Sequence, residues 1–106
     1  MIINEIDSLT LTNLMRENEK PIIVEFYAHW CGPCRVYSSI LERFADKVGD
    51  RCIILKADID TNEWLTNKYR IKSVPTTIMF YQGKPIIKVT GIMNERQLYD
   101  LLIQAT

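Results

Sequence analysis

The chain has little of what marks several large protein classes. Its 106 residues include only three cysteines, too few for the disulfide framework of a secreted mini-protein. Thirteen basic side chains balance thirteen acidic ones, so no overall positive field draws the chain onto nucleic acid or anionic lipid. The longest apolar runs, such as Pro21-Ile22-Ile23-Val24, fall far short of the ~20 residues needed to span a bilayer. The opening Met1-Ile2-Ile3-Asn4-Glu5 lacks the basic and long apolar regions of a secretory signal, and a soluble cytoplasmic protein is expected. Glycine and proline are scarce, at four each, and no stretch is dominated by them, by serine or by one sign of charge, which argues against linkers and disorder. No period of about 20 to 50 residues repeats, so a solenoid is excluded.

What remains is ordinary globular composition, 47% hydrophobic and 25% charged, in a chain long enough for one core and one domain over residues 1–106. Residues 2–6 suit a short strand. Leu11, Leu14 and Met15 then recur at helical spacing behind Ser8 and Thr10, either of which could cap a helix ending near Asn18. Residues 22–28 are mainly β-branched and aromatic, as in a central strand covered on both faces. Val36, Tyr37, Ile40, Leu41, Phe44 and Val48 form one helical stripe, and Gly49 stands where a helix commonly stops.

Residues 52–57 read as another apolar strand. Trp64, Leu65 and Tyr69 suit a short helix opened by Asp60 with Glu63. Pro75 introduces a strand over 76–81, which Gln82-Gly83 turns into a second over 86–89, giving a hairpin with Pro85 at an edge or outside the ladder. Asn94 with Gln97 resembles a capping box before a closing helix that presents Leu98, Leu101, Leu102 and Ala105.

Trp30-Cys31-Gly32-Pro33-Cys34 sits where the central strand hands over to the longest helix. A helix start offers unpaired N–H groups and the positive end of the dipole, so Cys31 should ionise more easily than a free thiol. Two intervening residues let one helical turn bring the sulfurs within bonding reach, and Pro33 suits a first turn because its missing N–H costs nothing there. The thiolate is the nucleophile in disulfide exchange, so Cys31 can attack and Cys34 can release. The competing reading of such a pair, half a zinc site, needs about four ligands, and only His29 and Cys52 remain as Cys or His candidates. Cys52, on another strand, reads as a core cysteine. Glu25 interrupts an apolar central strand, where it is either turned to solvent or buried at a cost of several kcal/mol.

With these residues in view the sequence resembles the thioredoxin family over nearly the whole chain. The resemblance is carried by Trp30-Cys31-Gly32-Pro33-Cys34, Glu25, Lys56, Val74-Pro75-Thr76 and Gly91. It implies an α/β thioredoxin fold, a five-stranded mixed sheet of order 1-3-2-4-5 with the fourth strand antiparallel and four helices on both faces. It also implies a buried acid at Glu25 that takes the proton of Cys34, with Lys56 tuning it, although a solvated strand lysine is the alternative. Pro75 would follow a cis bond, the Val74 backbone would pair with an extended substrate peptide, and Trp30, Gly32, Pro33, Val74, Gly91 and Ile92 would form the docking surface.

By the same resemblance the chain is a monomeric reductant of disulfide-containing proteins. It would bind no cofactor itself and would draw electrons from NADPH through a flavin thioredoxin reductase. The same fold can serve as a disulfide oxidase or isomerase, depending on potential, or as a binding subunit without turnover. The Gly32-Pro33 dipeptide favours the reductant. Departures from the family pattern are Glu25 for the usual aspartate, Tyr27 for tryptophan, His29 for a common glutamate, and Ser39 for the proline that bends the active-site helix.

Overall fold

In the computed structural model, which describes residues 2–3, 6–17 and 19–105, the elements run β1 (Ile2–Ile3), α1 (Ser8–Glu17), β2 (Ile22–Tyr27), α2 (Gly32–Val48), β3 (Ile53–Asp58), α3 (Glu63–Lys68), β4 (Thr76–Tyr81), β5 (Lys84–Thr90) and α4 (Glu95–Ala105). β2 is buried along its whole length, as its near-lack of polar residues requires. It pairs in parallel with β3 and antiparallel with β4. β4 turns through Gln82 and Gly83, both at positive φ, into β5, the two-residue hairpin geometry that matches strand twist.

Four strands of six or seven residues thus carry a mixed sheet in the order β3-β2-β4-β5, and the two-residue β1 adds to the outer edge of β3. Of the strand expected over 2–6, Ile2 and Ile3 form β1, Asn4 and Glu5 lie outside the described residues, and Ile6 is not in a strand, its N–H donating to the Lys56 carbonyl at 3.0 Å. Pro85 lies inside β5, paired with Phe80 beside a register irregularity between Met79 and Phe80. β5 is the edge of the sheet, where a missing donor is tolerated.

Strand alternation divides the apolar side chains into two cores. Ile23, Ile54 and Met79 meet Tyr37, Leu41 and Phe44 of α2 and Leu98, Leu101 and Leu102 of α4. Val24, Leu55, Ile78 and Phe80 meet Leu11 and Leu65 on the other face. Glu25, two residues beyond Ile23, therefore points toward the α2 side.

Helix ends follow local chemistry where that chemistry is complete. Asn94 and Gln97 form the reciprocal box, each side chain accepting the other's N–H, at 2.8 and 2.9 Å. Gly49 takes φ 56° at the end of α2, its N–H donating to Ala45 O, a conformation that suits glycine. Three expectations are corrected. The carboxylate of Asp7, not Ser8 or Thr10, caps α1 by accepting the Thr10 N–H at 2.8 Å; the expected end at Asn18 lies outside the described residues. Val36 is 57% exposed and Trp64 62%, because the buried stripe of α2 runs through Tyr37, Leu41, Phe44, Ala45 and Val48, and α3 buries only Leu65. Asp60 is not the α3 cap: Asn62 precedes the helix, and the Asp60 carboxylate is held by Trp30.

Candidate redox site

β2 ends in the middle of the sheet and α2 begins five residues later, so residues 28–31 deliver Cys31 to the N-terminus of the longest helix. Cys31 is the N-cap residue in extended conformation, and its Sγ accepts the N–H of Cys34 at 3.2 Å. Helical geometry in the first turn sets the two Cα atoms 5.3 Å apart, and the sulfurs are joined as a disulfide. Pro33 fills the first turn as its fixed φ and missing donor permit. Both cysteines are almost buried, packed with Tyr27 and Ala28 and against Ile59 and Val74.

Across from the disulfide, the Val74 carbonyl lies 3.8 Å from Cys31 Sγ. The Val74–Pro75 peptide is cis, as the resemblance implies, and the Pro75 carbonyl accepts the N–H of Gly91 at 2.8 Å. Gly91 holds φ 95°, in the region that disfavours side chains. Cys31, Cys34, Val74, Pro75 and Gly91 are therefore drawn together from separate parts of the chain. Trp30 and Ile92 are exposed, at 68% and 44%.

The buried acid stands on β2, six residues before Cys31. Glu25 is fully buried, neither carboxylate oxygen has a hydrogen-bond partner among the described residues, and Lys56 Nζ stands 3.8 Å from Oε1, within ion-pair range but beyond a hydrogen bond. Burial pushes the Glu25 carboxyl up to about 7, against the pull of the Lys56 charge. An acid so poised can exchange a proton near neutral pH. A cavity of about 360 Å³ is lined by Tyr27, Ala28, His29, Cys34, Arg35, Ser38 and Lys56, so Cys34 and the lysine that pairs with Glu25 border one space. Cys52 is buried in the core with Ile23, Tyr37 and Ile54, and burial pushes its thiol up to about 12, as befits an inert core cysteine.

Sequence reasoning missed the carboxylates that tether the cysteine-bearing loop. His29 Nε2 pairs with Asp58 Oδ2 at 3.2 Å, and Trp30 Nε1 donates to Asp60 Oδ2 at 3.0 Å. Asp58-Ile59-Asp60 after an apolar strand was the available signal.

A disulfide at a helix N-terminus, faced by a cis-proline loop and sharing a cavity with a lysine that pairs with a buried acid, defines a protein that exchanges disulfides. The sequence model of the Thioredoxin family matches residues 4–104, and the chain belongs to that family. It is 39% identical over 92 residues to the chloroplastic thioredoxin Y of Oryza sativa, covering 87% of this chain and 55% of that one. It is 38% identical over 82 residues to a thioredoxin of Alicyclobacillus acidocaldarius, covering 77% and 78%. A bifunctional thioredoxin reductase/thioredoxin of Mycobacterium leprae is 33% identical over 81 residues, 76% of this chain and 18% of that one. Among solved structures, a mutant thioredoxin from Halobacterium salinarum superposes with TM-score 0.89 at 28% identity, covering 99% of this chain and 90% of the other. The chain is a thiol–disulfide oxidoreductase of the thioredoxin type. Among the described residues no helix is long and apolar enough to cross a membrane.

Proposed function

We propose that the protein reduces disulfides in other proteins, with Cys31 attacking and Cys34 resolving. The observation that carries the order of attack is the place of Cys31 as N-cap of α2, where helix N–H groups and the positive dipole end stabilise a thiolate. In the reduced protein the Cys31 thiolate attacks one substrate sulfur, forms a mixed disulfide and releases the other sulfur as a thiolate. Cys34 then gives its proton to Glu25 and attacks Cys31. The Cys31–Cys34 disulfide closes, the second substrate thiolate leaves, and two electrons have passed to the substrate.

An extended substrate segment lies along the Val74 backbone, over a docking surface made by Trp30, Gly32, Pro33, Val74, Pro75, Gly91 and Ile92. Lys56 tunes Glu25 from the cavity. Electrons come from NADPH through a flavin thioredoxin reductase; the mycobacterial relative named for both activities supports that partnership. We assign the protein no resident cofactor, a monomeric state and a reducing compartment, the cytoplasm. The test is NADPH oxidation in the presence of a thioredoxin reductase and a protein disulfide. Turnover lost in Cys31→Ser is expected, and absence of turnover by several reductases with intact cysteines refutes the proposal. Function retained after both cysteines become serine assigns the chain to a binding role instead.

A further inference from the structure

Ser38 stands one helical turn beyond Cys34 on α2, and its Oγ accepts a hydrogen bond from Lys56 Nζ at 3.1 Å. The same ammonium lies 4.7 Å from the centre of the Tyr27 ring and 3.8 Å from Glu25 Oε1. An ammonium gains more from a carboxylate than from a hydroxyl in a poorly solvated site, yet here the hydroxyl has the closer contact and neither carboxylate oxygen has a hydrogen bond among the described residues. Placement explains the inversion. Helix α2 sets the hydroxyl in the wall of the cavity that Lys56 also lines, and the Tyr27 ring gives the ammonium a second seat nearby.

We propose that Ser38 is a positioning residue for proton transfer at Cys34: its hydroxyl holds the Lys56 ammonium beyond hydrogen-bond distance of the Glu25 carboxylate, which keeps that carboxylate the better base for the Cys34 proton. The inference rests on the reading of Glu25 as proton acceptor. A contacting ammonium would stabilise the carboxylate and make it a poorer base. Burial pushes the Glu25 carboxyl up to about 7 against the lowering pull of Lys56, and a closer ammonium would lower it further.

The groups facing Glu25 leave Lys56 as the adjustable one. From β3 comes Lys56 itself, and from β4 the register partner is the uncharged Thr77. From α2 comes Tyr37, whose hydroxyl is bonded to Thr77 at 2.8 Å and whose ionisation burial pushes far above neutral pH. Cys34 is the proton donor in the reduced protein, and Arg35 and His29 line the cavity, with Arg35 donating to the His29 carbonyl at 3.4 Å and His29 paired with Asp58.

The experiment titrates the Glu25 carboxyl directly in the oxidised protein by isotope-edited infrared spectroscopy, and measures the pH profile of mixed-disulfide resolution separately. Ser38→Ala is expected to lower the Glu25 midpoint by about 0.5 to 1 pH unit, while Ser38→Thr, which keeps the hydroxyl, restores the original midpoint. In a Lys56→Met background Ser38→Ala should leave the titration unchanged. An unmoved Glu25 midpoint in Ser38→Ala, or an equal shift without Lys56, overturns the assignment of Ser38. A shifted titration beside an unmoved resolution profile refutes the proton-acceptor role of Glu25 instead, and with it Ser38's part in the reaction.

Discussion

Replacing Glu25 by glutamine should change how stability depends on pH more than it changes the fold. Glutamine has nearly the volume of a protonated glutamate and never ionises. In the folded protein the Glu25 carboxyl titrates at about 7, against 4.5 for an unperturbed glutamate, because burial disfavours the charge. The folded state therefore holds the proton more tightly than the unfolded chain. The associated stability is fully present below about pH 4.5 and is lost as the pH rises through about 7. At about 1.4 kcal/mol for each pH unit between those midpoints, the wild type loses about 3 kcal/mol across the window. The variant escapes that loss, so the difference between the two proteins should swing in its favour by about 3 kcal/mol between about pH 4 and pH 8.

For a domain of this length such a swing moves the melting temperature by more than about 10 °C. Paired urea titrations of the oxidised proteins across that range measure it, since all other carboxylates cancel between the two. Cys52 contributes nothing in the window: its thiol is raised from 9.0 to about 12 by burial, so its contribution is present below pH 9 and fades only as the pH rises further. Parallel stability curves for wild type and variant would refute the reasoning and make Glu25 an ordinary, solvated carboxylate.

Cys34→Ser should accumulate mixed disulfides with substrate proteins, because attack by Cys31 continues while nothing resolves it, and Cys31→Ser should accumulate none; equal capture of the same partners by both variants would reverse the assigned roles. Asn94→Ala removes one half of the reciprocal cap on α4 and should cost about 1 kcal/mol in denaturant unfolding, whereas an unchanged midpoint would mean that water serves the freed N–H equally well. His29→Glu sets a second carboxylate against Asp58, 3.2 Å from the present imidazole nitrogen. It should destabilise the protein by about 1 kcal/mol at low salt and less at high salt, and should raise the pH at which reduced Cys31 alkylates; effects indifferent to salt would show that His29 acts through packing.

Features whose partners lie close in sequence were legible. The box at Asn94 and Gln97 needs two side chains three positions apart, and the cysteine pair needs only a strand ending and a helix beginning. The starts of α1 and α3 were not, because several nearby residues could serve as caps and the choice depends on competing partners. Asp60 has the position of a cap for the helix after it, but its carboxylate is engaged by an indole thirty residues earlier, a contact no local pattern records. Val36 and Trp64 escape the pattern for a related reason: adjacent apolar residues on a helix offer two phases for the buried stripe, and only the packed sheet selects one. For Glu25, strand alternation left solvent and burial both open. The sheet order removes the choice, since β2 lies between β3 and β4 with a core on each face.

The tethers on the cysteine-bearing loop also bear on how Trp30 is presented, its large indole exposed yet bonded through Nε1. Asp58 is almost buried at the end of β3. One of its oxygens pairs with His29, and the other accepts the N–H of Asp60 at 2.9 Å. That second bond orients the short turn after β3, and the Asp60 carboxylate then receives the Trp30 N–H. The two residues immediately before Cys31 are thus fixed to one turn through two neighbouring carboxylates, while the Arg35 guanidinium reaches back to the His29 carbonyl at 3.4 Å. A loop tethered at His29 and Trp30 in this way fixes the indole next to the N-cap cysteine. The entropy of ordering that loop is lost on folding rather than at each encounter with a substrate.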